Sequence, residues 1–274
     1  MSFSSLALDK SLTDAIKALG YENPTPIQQQ AIPAVLAGKD IMAGAQTGTG
    51  KTAAFALPIL QQLMKATDAS RPISALVLTP TRELAQQVYK SFLSYAQNTQ
   101  LNVAVACGGV SINNQIAALE KGADILIATP GRLLDHLTKE NVNLSQLQTI
   151  VFDEADRMLD MGFIHDIKKI LSVLPKNRQN LLFSATFSID IRQWAKGLVN
   201  DPVEISVTPR NAAAPSVQQK IYPVDKSQKA KLLTKLIKDN DWQQVLVFSR
   251  TKHGANRLTK QLIGCGISAA AIHG

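Results

Sequence analysis

The chain has 274 residues, 45% of them hydrophobic, and a formal net charge of +8. That is enough apolar material for one large or two smaller domains, each with its own core. No apolar run is long enough to span a bilayer, and Met1-Ser-Phe-Ser-Ser5 has neither the basic region nor the apolar core of a secretory leader. Membrane-spanning and secreted classes are therefore disfavoured, and a cytoplasmic location is expected. Cys107, Cys265 and the four histidines are scattered without metal-ligand spacing, so reduced, structural cysteines and no zinc are expected.

Short apolar runs rich in Val, Ile and Leu recur between longer amphipathic stretches, as expected for strands buried on both faces of a parallel sheet. The predicted strands are 40–44, 75–79, 103–106, 125–128, 150–152, 181–183 and 203–206. Predicted helices cover 52–64, 82–95 and 132–137, with a proline-bounded helix start near Pro24 to Gln28. The class is α/β with a mostly parallel sheet, and ligands belong at the carboxyl ends of its strands. Two prolines bracket small residues at 209–215, the composition of a linker. A second unit follows, with predicted strands at 216–223, 245–248 and 267–272 and helices at 226–238 and 252–262. Residues 1–208 hold 18 Lys+Arg against 18 Asp+Glu, and 209–274 hold 11 against 3, so the excess charge lies in the last quarter. A basic balance suits nucleic acid, but a Lys-rich helix equally suits a solvated face.

Ala45-Gln-Thr-Gly-Thr-Gly-Lys-Thr52 lies between a predicted strand and a predicted helix, the context of a phosphate-binding loop. Its glycines let backbone N–H groups converge on phosphate oxygens, and the helix start adds its positive end. Lys51 would hold the outer phosphates and Thr52 would offer a hydroxyl to Mg²⁺. About 100 residues on, Asp153-Glu-Ala-Asp156 follows an apolar run, where the second Mg²⁺ element of such an ATPase would lie. Asp153 would orient the hydrated metal and Glu154 would position and deprotonate the attacking water. Taken alone, these acids equally suit a helix N-terminus.

Asp-Glu-Ala-Asp spells the signature of the DEAD-box RNA helicases, and nearly the whole chain resembles that family, with a likeness to its bacterial RhlE-type branch. The resemblance implies two RecA-like domains: residues 1–30 as a Q-motif region, 31–208 as the ATP-binding domain, 209–217 as a linker and 218–274 as part of the second domain. Phe3, Gly20-Tyr21 and Pro24-Thr25-Pro-Ile-Gln28 resemble the Q motif, implying adenine recognition by Phe3, Tyr21, Thr25 and Gln28 and a preference for ATP over GTP. Ala45, Gln46, Thr47, Gly48, Thr49, Gly50, Lys51 and Thr52 would surround the phosphates. Pro80-Thr81-Arg82, Gly108-Gly109 and Thr129-Pro-Gly131-Arg132 are similar to elements that grip RNA backbone, a sequence-independent mode. Ser184-Ala-Thr186 resembles the motif that couples hydrolysis to strand separation. Val245 to Arg250 resembles the start of the second domain, where Arg250 faces RNA, the cleft or solvent.

The implied cofactors are ATP and Mg²⁺. RNA is the implied partner, with ribosome-assembly or RNA-degradation machinery beyond it, no membrane, and a monomer. The family's Ala-Arg-Gly-Asp-like segment and its His-Arg-Ile-Gly-Arg-x-Gly-Arg segment, which carries arginine fingers, do not occur in these 274 residues. The chain is therefore expected to bind ATP, hydrolyse it slowly and not unwind RNA, although a longer parent would. Two other readings share the phosphate loop and acids: a P-loop ATPase acting on DNA or another partner, and a non-enzymatic RNA-binding module driven by the basic tail.

Overall fold

A computed structural model describes residues 2–46, 48–65, 72–207 and 218–273. The chain divides into two compact units, residues 1–212 and 213–274. The expected linker, 209–217, lies outside the described residues, as does Thr47.

In chain order the first unit contains α1 (Lys10–Ala18), α2 (Pro26–Leu36), β1 (Ile41–Gly44), α3 (Lys51–Leu63), β2 (Ala75–Leu78), α4 (Arg82–Ala96), β3 (Val103–Ala106) and α5 (Ile112–Glu120). It continues with β4 (Ile125–Ala128), α6 (Pro130–Thr138), β5 (Thr149–Asp153), α7 (Ala155–Asp160), α8 (Ile164–Ser172), β6 (Gln179–Ser184), α9 (Ile189–Lys196) and β7 (Val203–Ser206). The seven strands form one sheet in the order β3-β4-β2-β5-β6-β1-β7, and each of these pairings is parallel. All seven expected strands are present, three with the expected ends. Helices α1, α5, α7, α8 and α9 were not expected from the sequence.

Strand side chains alternate between two cores, as a pleated strand requires. Ile41, Val77, Ile127, Val151 and Phe183 face the core under α1 to α4, whereas Met42, Leu76, Leu126, Phe152 and Leu182 face the core under α6 to α9. Helix α3 is apolar on nearly every side, Ala53-Ala-Phe-Ala-Leu57 being wholly buried, which is the composition of a helix wedged between a sheet and other helices. Phe55 meets Phe183 edge-on, with ring centres 5.2 Å apart. At the amino end of the sheet the Asp40 carboxylate accepts from the Asn180 and Asn200 backbone amides, each at 2.8 Å, fixing the β1–β6 register from below.

The strand order decides where functional loops fall. Neighbouring β3, β4 and β2 end in 107–111, 129 and 79–81; neighbouring β5, β6 and β1 end in 154, 185–188 and 45–50. The two groups of loops meet where β2 pairs with β5.

In the second unit, α10 (Lys229–Asp239) follows a 3-10 turn at Lys226–Gln228 and touches α11 (Lys252–Gly264). The strands expected at 216–223, 245–248 and 267–272 are corrected here: residues 218–223, 245–248 and 267–272 make no ladder, while 216 and 217 lie outside the described residues. A parallel strand is defined by the neighbour that takes its hydrogen bonds and by layers on both faces. These runs have neither, since Leu246 is 80% and Phe248 90% exposed.

Candidate functional site

Gly48 and Gly50 take the left-handed backbone, at φ +82° and +89°, and the loop turns directly into α3, whose first residue is Lys51. A side chain at position 50 would also overlap the Gln28 amide nitrogen. Ala45 extends the sheet, its N–H donating to the Ser184 carbonyl at 3.1 Å. The Thr49 hydroxyl donates to the Gln46 carbonyl at 2.7 Å, closing the loop on itself.

Lys51 and Asp153, from the ends of the β1 and β5 segments, are 7% and 2% exposed. Among the described residues neither Lys51 Nζ nor Asp153 Oδ1 has a hydrogen-bond partner. A buried ammonium and a buried carboxylate oxygen left unbonded are costly. Burial pushes the Asp153 carboxyl up to about 6; the Lys51 charge pulls it down and the neighbouring Glu154 pushes it up. Both residues open onto a cleft of about 490 Å³, also lined by Tyr21, Gly48, Gly50, Thr52 and Glu154.

Glu154 is held in the left-handed region at φ 58°, ψ 54°, a conformation that costs a non-glycine residue roughly 1–2 kcal/mol. Its carboxylate lies 3.6 Å from Arg157 Nη1. Asp156 points elsewhere: its Oδ2 accepts from the Thr186 N–H at 2.9 Å and the Thr186 hydroxyl at 3.0 Å. The Ser184 hydroxyl donates to the Thr186 carbonyl at 2.6 Å and accepts from the Asp156 N–H at 3.3 Å. The link between Ser184-Ala-Thr186 and the acidic run is therefore made through Asp156, which sequence reasoning did not single out.

Gln28 is buried, and its amide accepts from the Thr25 N–H at 2.9 Å and donates to the Gly50 carbonyl at 3.0 Å. It caps α2 and ties that cap to the phosphate loop. A primary amide has two N–H donors and two acceptor lone pairs, so one of each is left over. Phe3 is not brought to the cleft; it is 5% exposed and packs into the core under α1 to α4. Tyr21 does line the cleft, its hydroxyl 3.4 Å from that of Tyr95, whose phenol is pushed well above the ordinary range by burial and then by Tyr21. Tyr95 and Arg157 also line the cleft and were missed. Arg157 stands three residues after Glu154 on a helical start, a spacing that could have found it; Tyr95 carried no local signal.

The second group of loops is cross-linked. Arg82 Nη1 donates to the Gly109 carbonyl at 3.0 Å and Arg132 Nη1 to the Val110 carbonyl, also at 3.0 Å. Arg82, Gly109 and Val110 are exposed. Gly109 sits at φ +73°, and a Cβ there would lie 2.9 Å from Arg82 Nη1. Thr81 caps α4 by accepting from the Leu84 N–H, and Pro80 is buried behind it; Thr129 and Gly131 open α6 half-buried. The three segments expected to grip RNA thus follow three neighbouring strands, β3, β4 and β2, at the carboxyl end of the sheet.

Residues 25–194 match the family model described as DEAD/DEAH box helicase. The chain is 42% identical over 275 residues to the ATP-dependent RNA helicase CshA of Limosilactobacillus reuteri, covering all of this chain and 54% of that protein. It is 41% identical over 277 residues to the ATP-dependent RNA helicase DeaD of Haemophilus influenzae, covering all of this chain and 44% of that one. The chain thus spans about half the length of the curated relatives it matches. A crystal structure of a DEAD box protein from the hyperthermophile Methanococcus jannaschii superposes with a TM-score of 0.71 at 38% identity, covering all of this chain and 73% of that one. These relatives do not single out the RhlE-type branch.

Proposed function

The chain belongs to the DEAD/DEAH box helicase family, and on that premise we propose that it is the ATP- and RNA-binding core of an ATP-dependent RNA helicase. What carries the reading is the pair of buried, unbonded groups, Lys51 Nζ and Asp153 Oδ1, opening onto one cleft at the start of α3. Such a pair suits a polyphosphate and the cation that travels with it.

Among the described residues no three His, Cys, Asp or Glu are grouped to hold a metal. Mg²⁺ does not need such a cage, since it is commonly held by one or two carboxylates together with phosphates and water. Asp153 and Thr52 are the groups that would hold it here, where it would neutralise charge on the transferring phosphoryl group. Glu154, on its strained backbone, would take the proton of the attacking water. The arginine fingers of the family's second domain are not among these residues, and losing one costs on the order of 10³–10⁵-fold in turnover. This chain is accordingly proposed to bind ATP while hydrolysing it slowly, and duplex unwinding is proposed for a longer protein. Among the described residues no helix is long and apolar enough to cross a membrane.

The leftover N–H and lone pair of Gln28 match one acceptor and one donor on the adenine edge. Titration with a fluorescent ATP analogue and Mg²⁺ should show binding with which GTP competes poorly. Gln28→Glu keeps the acceptor for Thr25 but replaces the donor to Gly50, so it should weaken binding and narrow the ATP–GTP difference. Equal loss for both nucleotides would mean that Gln28 acts only through Gly50.

For RNA, Gly109→Ala should weaken binding of a single-stranded oligouridine by roughly 10-fold, because it strains the backbone and displaces Arg82. Unchanged affinity at two salt concentrations would remove this loop from the RNA site.

A further inference from the structure

Three side chains hold the loop after β3 by its carbonyls. Arg82 takes Gly109 and Arg132 takes Val110; the third carbonyl, that of Cys107, accepts from Gln115 Nε2 at 2.9 Å. Gln115 is 7% exposed and stands on α5, and its Oε1 lies 3.0 Å from Nε2 of His136 on α6, which is wholly buried. Because the Gln115 NH₂ end must face the Cys107 carbonyl, its oxygen must face the histidine. His136 therefore donates from Nε2, and because burial holds its pKa below the ordinary imidazole range the ring is neutral with Nδ1 unprotonated, Nδ1 having no partner among the described residues. The imidazole fixes which way round the amide sits, and the amide fixes the Cys107 carbonyl.

The peptide bonds here are trans, so each N–H points opposite to the carbonyl before it. With the carbonyls of Cys107, Gly109 and Val110 bound to side chains, the N–H groups of Gly108, Val110 and Ser111 are turned the other way. Among the described residues none of these N–H groups donates to another backbone group. The Cys107 carbonyl is taken on the buried side by Gln115, so the Gly108 N–H is the donor turned away from the core, ahead of α5, where it suits a phosphate oxygen.

We infer that His136 and Gln115 are positioning residues for RNA binding: they touch no nucleotide, but set the Cys107 carbonyl inward and so present the Gly108-Gly109 loop to the RNA backbone. This rests on the proposal that the loop grips RNA. A histidine on a buried helix face would otherwise read as ordinary core, and its partner would have no reason to be an amide rather than an apolar side chain.

The test uses the 274-residue chain and a labelled single-stranded oligouridine, with affinity measured across a KCl series and the fluorescent ATP analogue as an internal reference. His136→Leu keeps the buried volume but cannot orient Gln115. It should weaken RNA binding roughly 10-fold across the KCl series, leaving the salt slope as in wild type because a neutral N–H releases no counterion, with ATP affinity held within about twofold. His136→Gln restores an N–H toward Gln115 and should recover the wild-type affinity. Gln115→Leu should match or exceed His136→Leu; if it does not fold, the two His136 variants decide. Equal loss of RNA and ATP affinity, unchanged RNA affinity, a slope lowered as by a lost cation contact, or no rescue by His136→Gln would each overturn the inference. Should Gly109→Ala also leave RNA binding intact, the failure lies with the loop as an RNA site rather than with the His136–Gln115 pair.

Discussion

Lys51→Ala should lower ATP affinity by on the order of 100-fold, while the chain still folds. The expectation follows from where the ammonium sits: it is 7% exposed, at the first position of α3, with no hydrogen-bond acceptor among the described residues. Bonds between a cation and phosphate oxygens contribute about 1.5–3 kcal/mol each, and the flexible stem allows more than one. Among the described residues the ammonium makes no hydrogen bond that holds the fold, and its contribution to stability is its attraction for Asp153, so the thermal midpoint without nucleotide should move less than the affinity does. The variant also removes the charge that pulls the Asp153 carboxyl down, so that carboxyl should titrate still higher than about 6. Isothermal titration with ATP and Mg²⁺ beside a melt without nucleotide checks both halves. Affinity within threefold of wild type would place the phosphates elsewhere.

Asp153→Asn should do the opposite to stability and the same to binding. The folded carboxyl titrates at about 6, above its ordinary 3.8, chiefly because it is buried. A raised value means that the folded chain holds the proton more tightly than the unfolded chain does. The associated stability is fully present below the unfolded value and is lost as pH rises through about 6. At pH 7.5 the chain therefore carries a buried negative charge at a net cost of up to about 3 kcal/mol, in which the attraction of Lys51 is already included. Asparagine has the shape of the neutral acid and avoids that cost. The variant should melt several degrees higher than wild type at pH 7.5 and at about the same temperature near pH 4. It should also lose Mg²⁺-dependent ATP affinity by at least about 10-fold, since an amide is a poor Mg²⁺ ligand beside phosphates. For the same reason wild-type affinity should decline as pH falls through about 6. A variant that melts lower at pH 7.5 would show that the carboxylate is a structural anchor.

The sheet was legible because parallel strands buried on both faces are nearly uninterrupted apolar runs, and Val103–Ala106 and Ile125–Ala128 have few other ways to fold. Helices such as Ile112–Glu120 and Ile189–Lys196 make only two or three turns, too few repeats of a 3.6-residue period to stand out from a loop. Position was less legible than presence. The run Asp153 to Asp156 announced chemistry, yet successive residues on a turning backbone point apart: Asp153 to the cleft beside Lys51, Asp156 to Thr186. For Phe3 and Gln28 the resemblance supplied a role, and the fold supplied a prior engagement. Phe3 belongs to the core, and the Gln28 amide already holds Thr25 and Gly50. In the second unit the same apolar signal that worked for the sheet failed for Val245 to Phe248, because a strand is a relation between segments and not a property of one.

Residues 153 and 154 mark where folding and chemistry pull apart. One is a carboxylate buried against its preference for the neutral form, the other a glutamate on a backbone suited to glycine or asparagine. Random change at either site has an easy downhill direction, toward a neutral side chain at 153 and a smaller one at 154, and each step would leave a sturdier protein. On the proposed function, the nucleotide site would hold these two residues at the expense of the fold, and a lineage without need of nucleotide would be expected to shed them early.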